Sequence, residues 1–249
     1  MILVSEVYET LLDIVRKDTR GRSLSPEEFN RVARLVNEAI FSKYYAEFEE
    51  NVESSDTLGK FRVISEAVAI AAGIGTLPVN FHSLVGMLYY TDAGGVTRYI
   101  DLVSDLEHAK RQKDYLTQAT LTHPVCRLGL ANVNADMTIH VAPTAGINPI
   151  YMDYLRKPDT PYLDYYVNDT TLVYTWMAAD TNVTVPSGST ARDGSVGVAV
   201  VASATTNFEW DDDEFPMIIN LFLKYVGIQL PSPELFEGGT LMETKIENQ

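Results

Sequence analysis

The chain has 249 residues and a mass of 27.7 kDa, with 34 acidic against 19 basic side chains, a formal net charge of −15 and a pI near 4.6. At 46% hydrophobic and 21% charged residues the composition is that of a folded protein, which excludes wholesale disorder, and the length allows one large domain or two modest ones. The acidity argues against general affinity for nucleic acid, whose phosphates demand cations, and the lone Cys126 excludes an intramolecular disulfide and a cysteine-rich zinc site.

The negative charge is uneven. Residues 1–75 carry 9 basic and 13 acidic groups, residues 76–206 carry 8 and 12, and residues 207–249 carry only Lys224 and Lys245 against nine acids. Charge and patterning together suggest three regions: a helical region over 1–75, a β-rich domain over 76–206, and a C-terminal helix with an extended tail over 207–249.

Residues 2–17 read as an amphipathic helix, because Val4, Val7, Tyr8, Leu11, Leu12 and Val15 recur at spacings of three and four. Glu6, Glu9 and Asp13 interrupt that stretch, so it is not expected to be a signal peptide. No apolar run is long enough to predict a transmembrane helix, and the chain reads as soluble and made in a cytoplasm. After a turn over 18–23, Ser25 is a candidate N-cap, Pro26 fits the first helical position and Glu28 completes a capping box. Leu24 and Phe29 stand at the positions of a hydrophobic staple. Phe29, Val32, Ala33, Val36, Ala39, Ile40, Tyr44 and Phe48 carry an apolar stripe to about residue 50, which predicts an αα-hairpin whose stripes need a partner surface.

From about residue 76 the period becomes two. Met137, Ile139 and Val141, then Ile150, Met152 and Tyr154, then Leu172, Tyr174 and Trp176 alternate with their neighbours, and 83–90, 96–103, 124–130, 162–167 and 195–203 are further strand candidates. Asp92–Gly95 reads as a hairpin turn and Pro186–Gly194 as a flexible loop. Ser104 and Glu107 form a second capping box, opening a helix that interrupts the strands and runs to about Tyr115. The expected fold class is α+β: an N-terminal αα-hairpin, a central antiparallel sandwich or barrel-like domain with one inserted helix, and a C-terminal helix with an extended tail. For that last helix, Asp211–Glu214 suit the positive end of the dipole, Pro216 the first turn, Ile218, Ile219, Phe222 and Val226 a buried face, and Gly227 a C-cap. Residues 234–249 read as a polar tail that orders on a partner.

Catalytic patterns are missing, and no catalytic, cofactor-binding or metal-ligating residue is assigned. His82, His108, His123 and His140 lack the spacing of a metal site on a helix. His123 and Cys126 suggest a nucleophile pair, but Cys126 alternates with Leu128 and Leu130 and reads as a core residue. The glycines of Ala72–Thr76 fit no phosphate loop, and the acids of Asp211–Glu214 read as dipole partners rather than an acid/base pair. Basic residues gather at Arg16, Lys17, Arg20 and Arg22, and at Lys110, Arg111 and Lys113, both read as solvated helix ends. Fourteen tyrosines, several within Tyr151–Tyr154 and Tyr162–Tyr166, suggest a subunit interface, with a carbohydrate-binding face as the alternative.

The stretches Val7–Gly21 and Leu24–Asn30 resemble structural proteins of crAss-like phages and their short-tailed relatives infecting Bacteroidetes. Leu77-Pro78, Ile100–Val103, Tyr154–Pro158, Trp210 before the acidic cluster and Ile218–Ile228 are similar to the same family, so the resemblance covers most of the chain. It implies a non-enzymatic virion protein, a homo-oligomeric ring in the portal–tail connector. The family expectation is a dodecamer that meets portal protein and neighbouring tail proteins while DNA passes without sequence-specific binding. It implies no cofactor, no membrane and no catalytic residues. Rival readings are a tail hub or tube component, a cargo-retaining component, and a carbohydrate-binding host-adhesion module. In a connector, ring neighbours would bury the long helical stripe, a partner strand would cover the apolar run Val196–Ala202, and part of the acidic excess would face the DNA channel.

Overall fold

The computed structural model describes residues 1–17, 24–48, 52–130, 137–197 and 200–227. The chain is a mixed α+β protein with helices at its N-terminus and a large β-sheet. Its contacts divide it into two units, one formed by 1–43 with 158–249 and the other by 44–157. The three expected regions are therefore regrouped, with the N-terminal helices joined to the last third of the sequence.

Helix α1 runs over Val4–Lys17 and α2 over Pro26–Glu47. The capping box at the start of α2 is reciprocal: the Glu28 N–H donates to Ser25 Oγ at 3.2 Å, and the Ser25 N–H donates to a Glu28 carboxylate oxygen at 3.3 Å. Leu24 and Phe29, the staple pair, are both buried. On α1, Val4, Val7, Tyr8, Leu11 and Val15 form the buried stripe.

The second unit opens with α3 (Val52–Gly59), which the sequence pattern did not predict. Strands β1 (Arg62–Val68), β2 (Ile74–Thr76), β3 (Phe81–Leu84), β4 (Leu88–Thr91) and β5 (Thr97–Leu102) follow. Then come α4 (Asp105–Lys113), β6 (Val125–Leu130), β7 (Met137–Ala142) and β8 (Ile150–Arg156). The strands form one sheet in the order β1-β8-β4-β5-β6-β7-β2, with β3 also on β8. Strands thus begin at Arg62 rather than near residue 76. A bulge hides β1 from a period-two reading: Ser65 sits at φ 56° and the register against β8 shifts between Val63 and Glu66.

The expected strand over 83–90 is two strands. The N–H groups of Val85 and Gly86 both donate to the Asp153 carbonyl, at 3.1 and 3.3 Å, which stops β3 and restarts the edge as β4. A side chain at Gly86 would meet the Asp153 β-carbon at 2.8 Å, so glycine is required at this turn. The sheet is antiparallel except at one place. Strands β5 and β6 run parallel, and α4 with the segment after it forms the crossover that such a pair needs. The two ends of the strand path, β1 and β2, are consecutive in sequence. A β-carbon at Gly75 would lie 2.8 Å from Val68 and 2.6 Å from Ile70, so the chain turns back locally from the end of β1 into β2, and the sheet between these two strands is curled. Inside it lie Leu88, Tyr90, Ile100, Cys126, Ile139, Val141, Ile150, Met152 and Tyr154.

The chain then returns to the first unit as β9 (Tyr165–Asn168), β10 (Tyr174–Trp176), β11 (Asn182–Thr184), β12 (Ser189–Ala191), β13 (Val200–Ala202) and, after a 3-10 turn over Asp212–Glu214, α5 (Phe215–Val226). One small sheet has the order β10-β9-β12 and another pairs β11 with β13. Pro216 lies in the first turn of α5, and Gly227 closes the helix at φ 69° with its N–H on the Leu223 and Lys224 carbonyls. The apolar stripes of α1 and α2 find their partner within the chain. Phe29 stacks on Phe222 of α5 at 4.9 Å with rings 7° apart, Tyr8 packs edge-on against Phe29, and Phe208 edge-on against Phe222. Ring neighbours are therefore not needed to bury the α2 stripe. The Pro186–Gly194 stretch is not free either, since β12 within it pairs with β9 and buries Ser189 and Ala191.

Candidate functional site

Polar side chains placed on otherwise apolar surfaces organise the first unit. Asn30 and Asn37 lie seven residues apart on α2, two helical turns, so they face the same way. The Asn30 amide behaves like a strand neighbour: it donates to the Leu163 carbonyl at 2.9 Å and accepts from the Leu163 N–H at 2.8 Å. Asn37, itself buried, donates to the Asp159 carbonyl at 3.1 Å and accepts from the indole N–H of fully buried Trp210 at 2.7 Å. Tyr165 donates its hydroxyl to Glu27 at 2.9 Å, and burial followed by that carboxylate drives the phenol's pKa upward.

Asp164 is the densest node. Its buried carboxylate accepts the N–H of Ala204 at 2.9 Å, its neighbour's N–H at 3.0 Å and the Arg192 guanidinium at 3.2 Å. The Arg192 guanidinium also lies over the Tyr162 ring, 5.0 Å from its centre. Asp164 thus ties the stretch expected to be a flexible loop to β9 and to the segment after β13. Every bond it makes is used for holding the chain, which makes it an architectural charge rather than a reactive one.

In the second unit, α4 lies on β6 and β7 through a polar face. Ser104 caps it, Arg111 pairs with Glu107 at 2.8 Å, and Arg127 of β6 reaches Asp105 at 2.8 Å. His108 is buried beneath the helix; its ring hydrogen-bonds the His140 backbone, while Nε2 has no partner among the described residues. Burial, then the Arg127 and His140 charges, holds its pKa below the ordinary value. His140 is lowered in the same way and shares a 3.2 Å contact with Thr138.

The sequence candidates fall apart as chemistry. Cys126 is fully buried and its thiol is pushed up to about 12 by burial and then by Asp101, so no thiolate forms near neutral pH, while His123 is exposed beside Thr122. His82 packs edge-on against Tyr45 at 4.5 Å. Asp211–Asp213 are exposed and Glu214 is buried at the start of α5. Of the tyrosines in the two runs, Tyr154 and Tyr165 are buried, and the runs belong to different units. Arg20, Arg22 and the 234–249 tail lie outside the described residues. Among the described residues no group of three or more His, Cys, Asp or Glu is gathered to hold a metal ion, and no helix is long and apolar enough to cross a membrane.

What the surface does present is apolar. After α4, Asp114 ties a tight turn by accepting the Leu116 N–H at 3.1 Å and the Thr117 hydroxyl at 3.0 Å. The turn holds Tyr115 and Leu116 in solvent, 91% and 89% exposed. Lys110 and Lys113 are exposed just before it. In the first unit Leu172, Val173, Tyr174 and Trp176 form an exposed run. Composition and spacing found the tyrosine and acidic clusters but not these patches, because exposure depends on which strand lies at an edge. The chain matches no protein-family model and no curated protein sequence.

Proposed function

We propose that the protein is a structural virion component that assembles as a ring in the phage portal–tail connector, meeting portal and tail proteins around a passage for DNA. The observation that carries this reading is the pair Tyr115–Leu116, held out by a turn that Asp114 fastens on both sides. Two large apolar side chains fixed in water are unfavourable by roughly 1.5–3 kcal/mol each relative to burial, and such sites recur where another protein docks. The sequence resemblance supplies the setting. For the β-rich unit, one large sheet whose two path ends, β1 and β2, are consecutive strands favours the barrel-like arrangement over the sandwich. The −15 charge suits a protein beside moving DNA, because a cationic bore would grip phosphate. Exposed Asp211–Asp213 are the acids proposed to face that passage.

The test is co-assembly with a crAss-like portal protein, followed by negative-stain imaging. Rings capping the portal support the reading, and Tyr115→Ser with Leu116→Ser should weaken them without unfolding the protomer. A chain that ignores portal and tail proteins at micromolar concentration sinks it.

A further inference from the structure

The small sheet β10-β9-β12 has one covered edge and one open edge. On the β12 side, residues 195–197 close the ladder through Ala191–Ser195 and Gly197–Ser189 bonds. On the β10 side nothing among the described residues does. The register fixes which groups are open. Asn168 bonds Val173 and Met177 bonds Asp164, so Val173, Thr175 and Met177 point their backbone groups at β9. Tyr174 and Trp176 therefore point theirs outward.

The same unit has a second edge of this kind. Ser203 bonds Thr181, so in the β11–β13 pair Val201 faces β11, and Val200 and Ala202 turn their N–H and C=O groups away. Val200 is 69% exposed. Natural edge strands are protected by charge, proline or a bulge. Neither of these is: no charge or proline occurs between Asp169 and Asp180, or between Asp193 and Glu209. Each edge offers two outward residues spaced two apart, Tyr174 and Trp176 on β10 and Val200 and Ala202 on β13.

We propose that β10 of one protomer pairs with β13 of a second copy, joining neighbours by strand addition. This rests on the ring reading above and names the contact between neighbours. A second copy is the occupant because the chain itself carries the matching edge. A β10–β10 dimer would leave β13 open, whereas head-to-tail pairing covers both edges and propagates until it closes. For a chain of net charge −15, contact through two charge-free edges also avoids like-charge repulsion.

The experiment compares Tyr174→Pro and Val200→Pro with Tyr174→Ala and Val200→Ala in the full chain by analytical ultracentrifugation. Each proline removes an outward N–H without touching the ladder to β9 or β11. The expected result is that the proline variants raise the concentration for half-assembly at least about tenfold, while the alanine variants shift it by less. In parallel, a Thr175→Cys protomer mixed with a Val201→Cys protomer should form a disulfide-linked pair under mild oxidation, and neither should alone. This readout decides the matter if the prolines fail to fold. Wild-type assembly that the prolines leave unchanged, with no mixed disulfide, overturns the β10–β13 contact and leaves the ring reading standing. A wild-type chain that stays monomeric overturns both.

Discussion

Asn37 shows how one buried amide fixes part of the fold. It bridges the indole N–H of Trp210 to the carbonyl of Asp159, two groups brought together from distant parts of the chain. Asn37→Ala leaves both buried groups without their partner, an expected loss of about 2–4 kcal/mol, at about 1–3 kcal/mol for each stranded group less partial relaxation. Chemical denaturation checks this, and Asn37→Asp, which keeps an acceptor for Trp210, should lose less at low pH than at neutral pH. His108 makes the fold sensitive to acid. Its pKa lies below 6.5 in the folded state, so as pH falls the unfolded chain takes up the proton first. Stability is therefore full above about 6.5 and declines as pH falls from there toward the depressed value. Melting temperatures between pH 7.5 and 5 should fall, and His108→Asn should flatten part of the slope, with His82 and His140 contributing the rest. A melting temperature that rises on acidification would contradict this assignment. Neither residue's part was legible in the sequence. Asn37 stands on an apolar stripe with no sign of its partner, and His108 lies on a helix whose overall character is polar.

Elements were legible where local chemistry dictates them. Both N-caps form at the residues the spacing indicates, because a cap needs only atoms three residues apart. The Ser25 box is reciprocal, whereas at Ser104 only the Glu107 N–H bond to the hydroxyl forms and the Glu107 carboxylate pairs with Arg111 instead. Strands with clean alternation, such as β7 and β8, were visible for the same reason. β1 was not, since its bulge at Ser65 breaks the period and is held from outside the strand, by Asp153 accepting the Ser65 N–H at 2.9 Å. The division of one expected strand into β3 and β4 is likewise set by Asp153, more than sixty residues away in sequence. Non-local anchors of this kind leave no periodic trace. The parallel β5–β6 pair escaped a reading based on hairpin turns. At this scale the expectation is that Ser25→Ala costs about 1 kcal/mol, seen as a fall in melting temperature of about 2–4 °C. Glu28→Ala should lose less, since the Ser25 hydroxyl still accepts the N–H of residue 28, the donor that the first turn of the helix leaves unpaired.

The molecule as a whole buries by itself part of the surface that a ring would otherwise have to cover. The long α2 stripe needed a partner surface, and the chain supplies it: α1, the 158–168 segment and α5 close around that helix within one protomer. One side of the apolar stretch ending at Ala202 is covered in the same way, since β13 pairs with β11. What remains after the protomer has satisfied itself is the informative part: two uncharged strand edges and the Tyr115–Leu116 turn. These are surfaces that folding alone does not use. Cys126 is buried among apolar neighbours, which suits it to packing, whereas His123 is exposed and His82 and His140 are half-buried. Mass photometry of the purified protein across nanomolar to micromolar concentration decides whether the chain forms a ring. A discrete closed oligomer should grow at the expense of monomer and persist with portal protein; monomers alone at every concentration, with or without portal, would refute the ring.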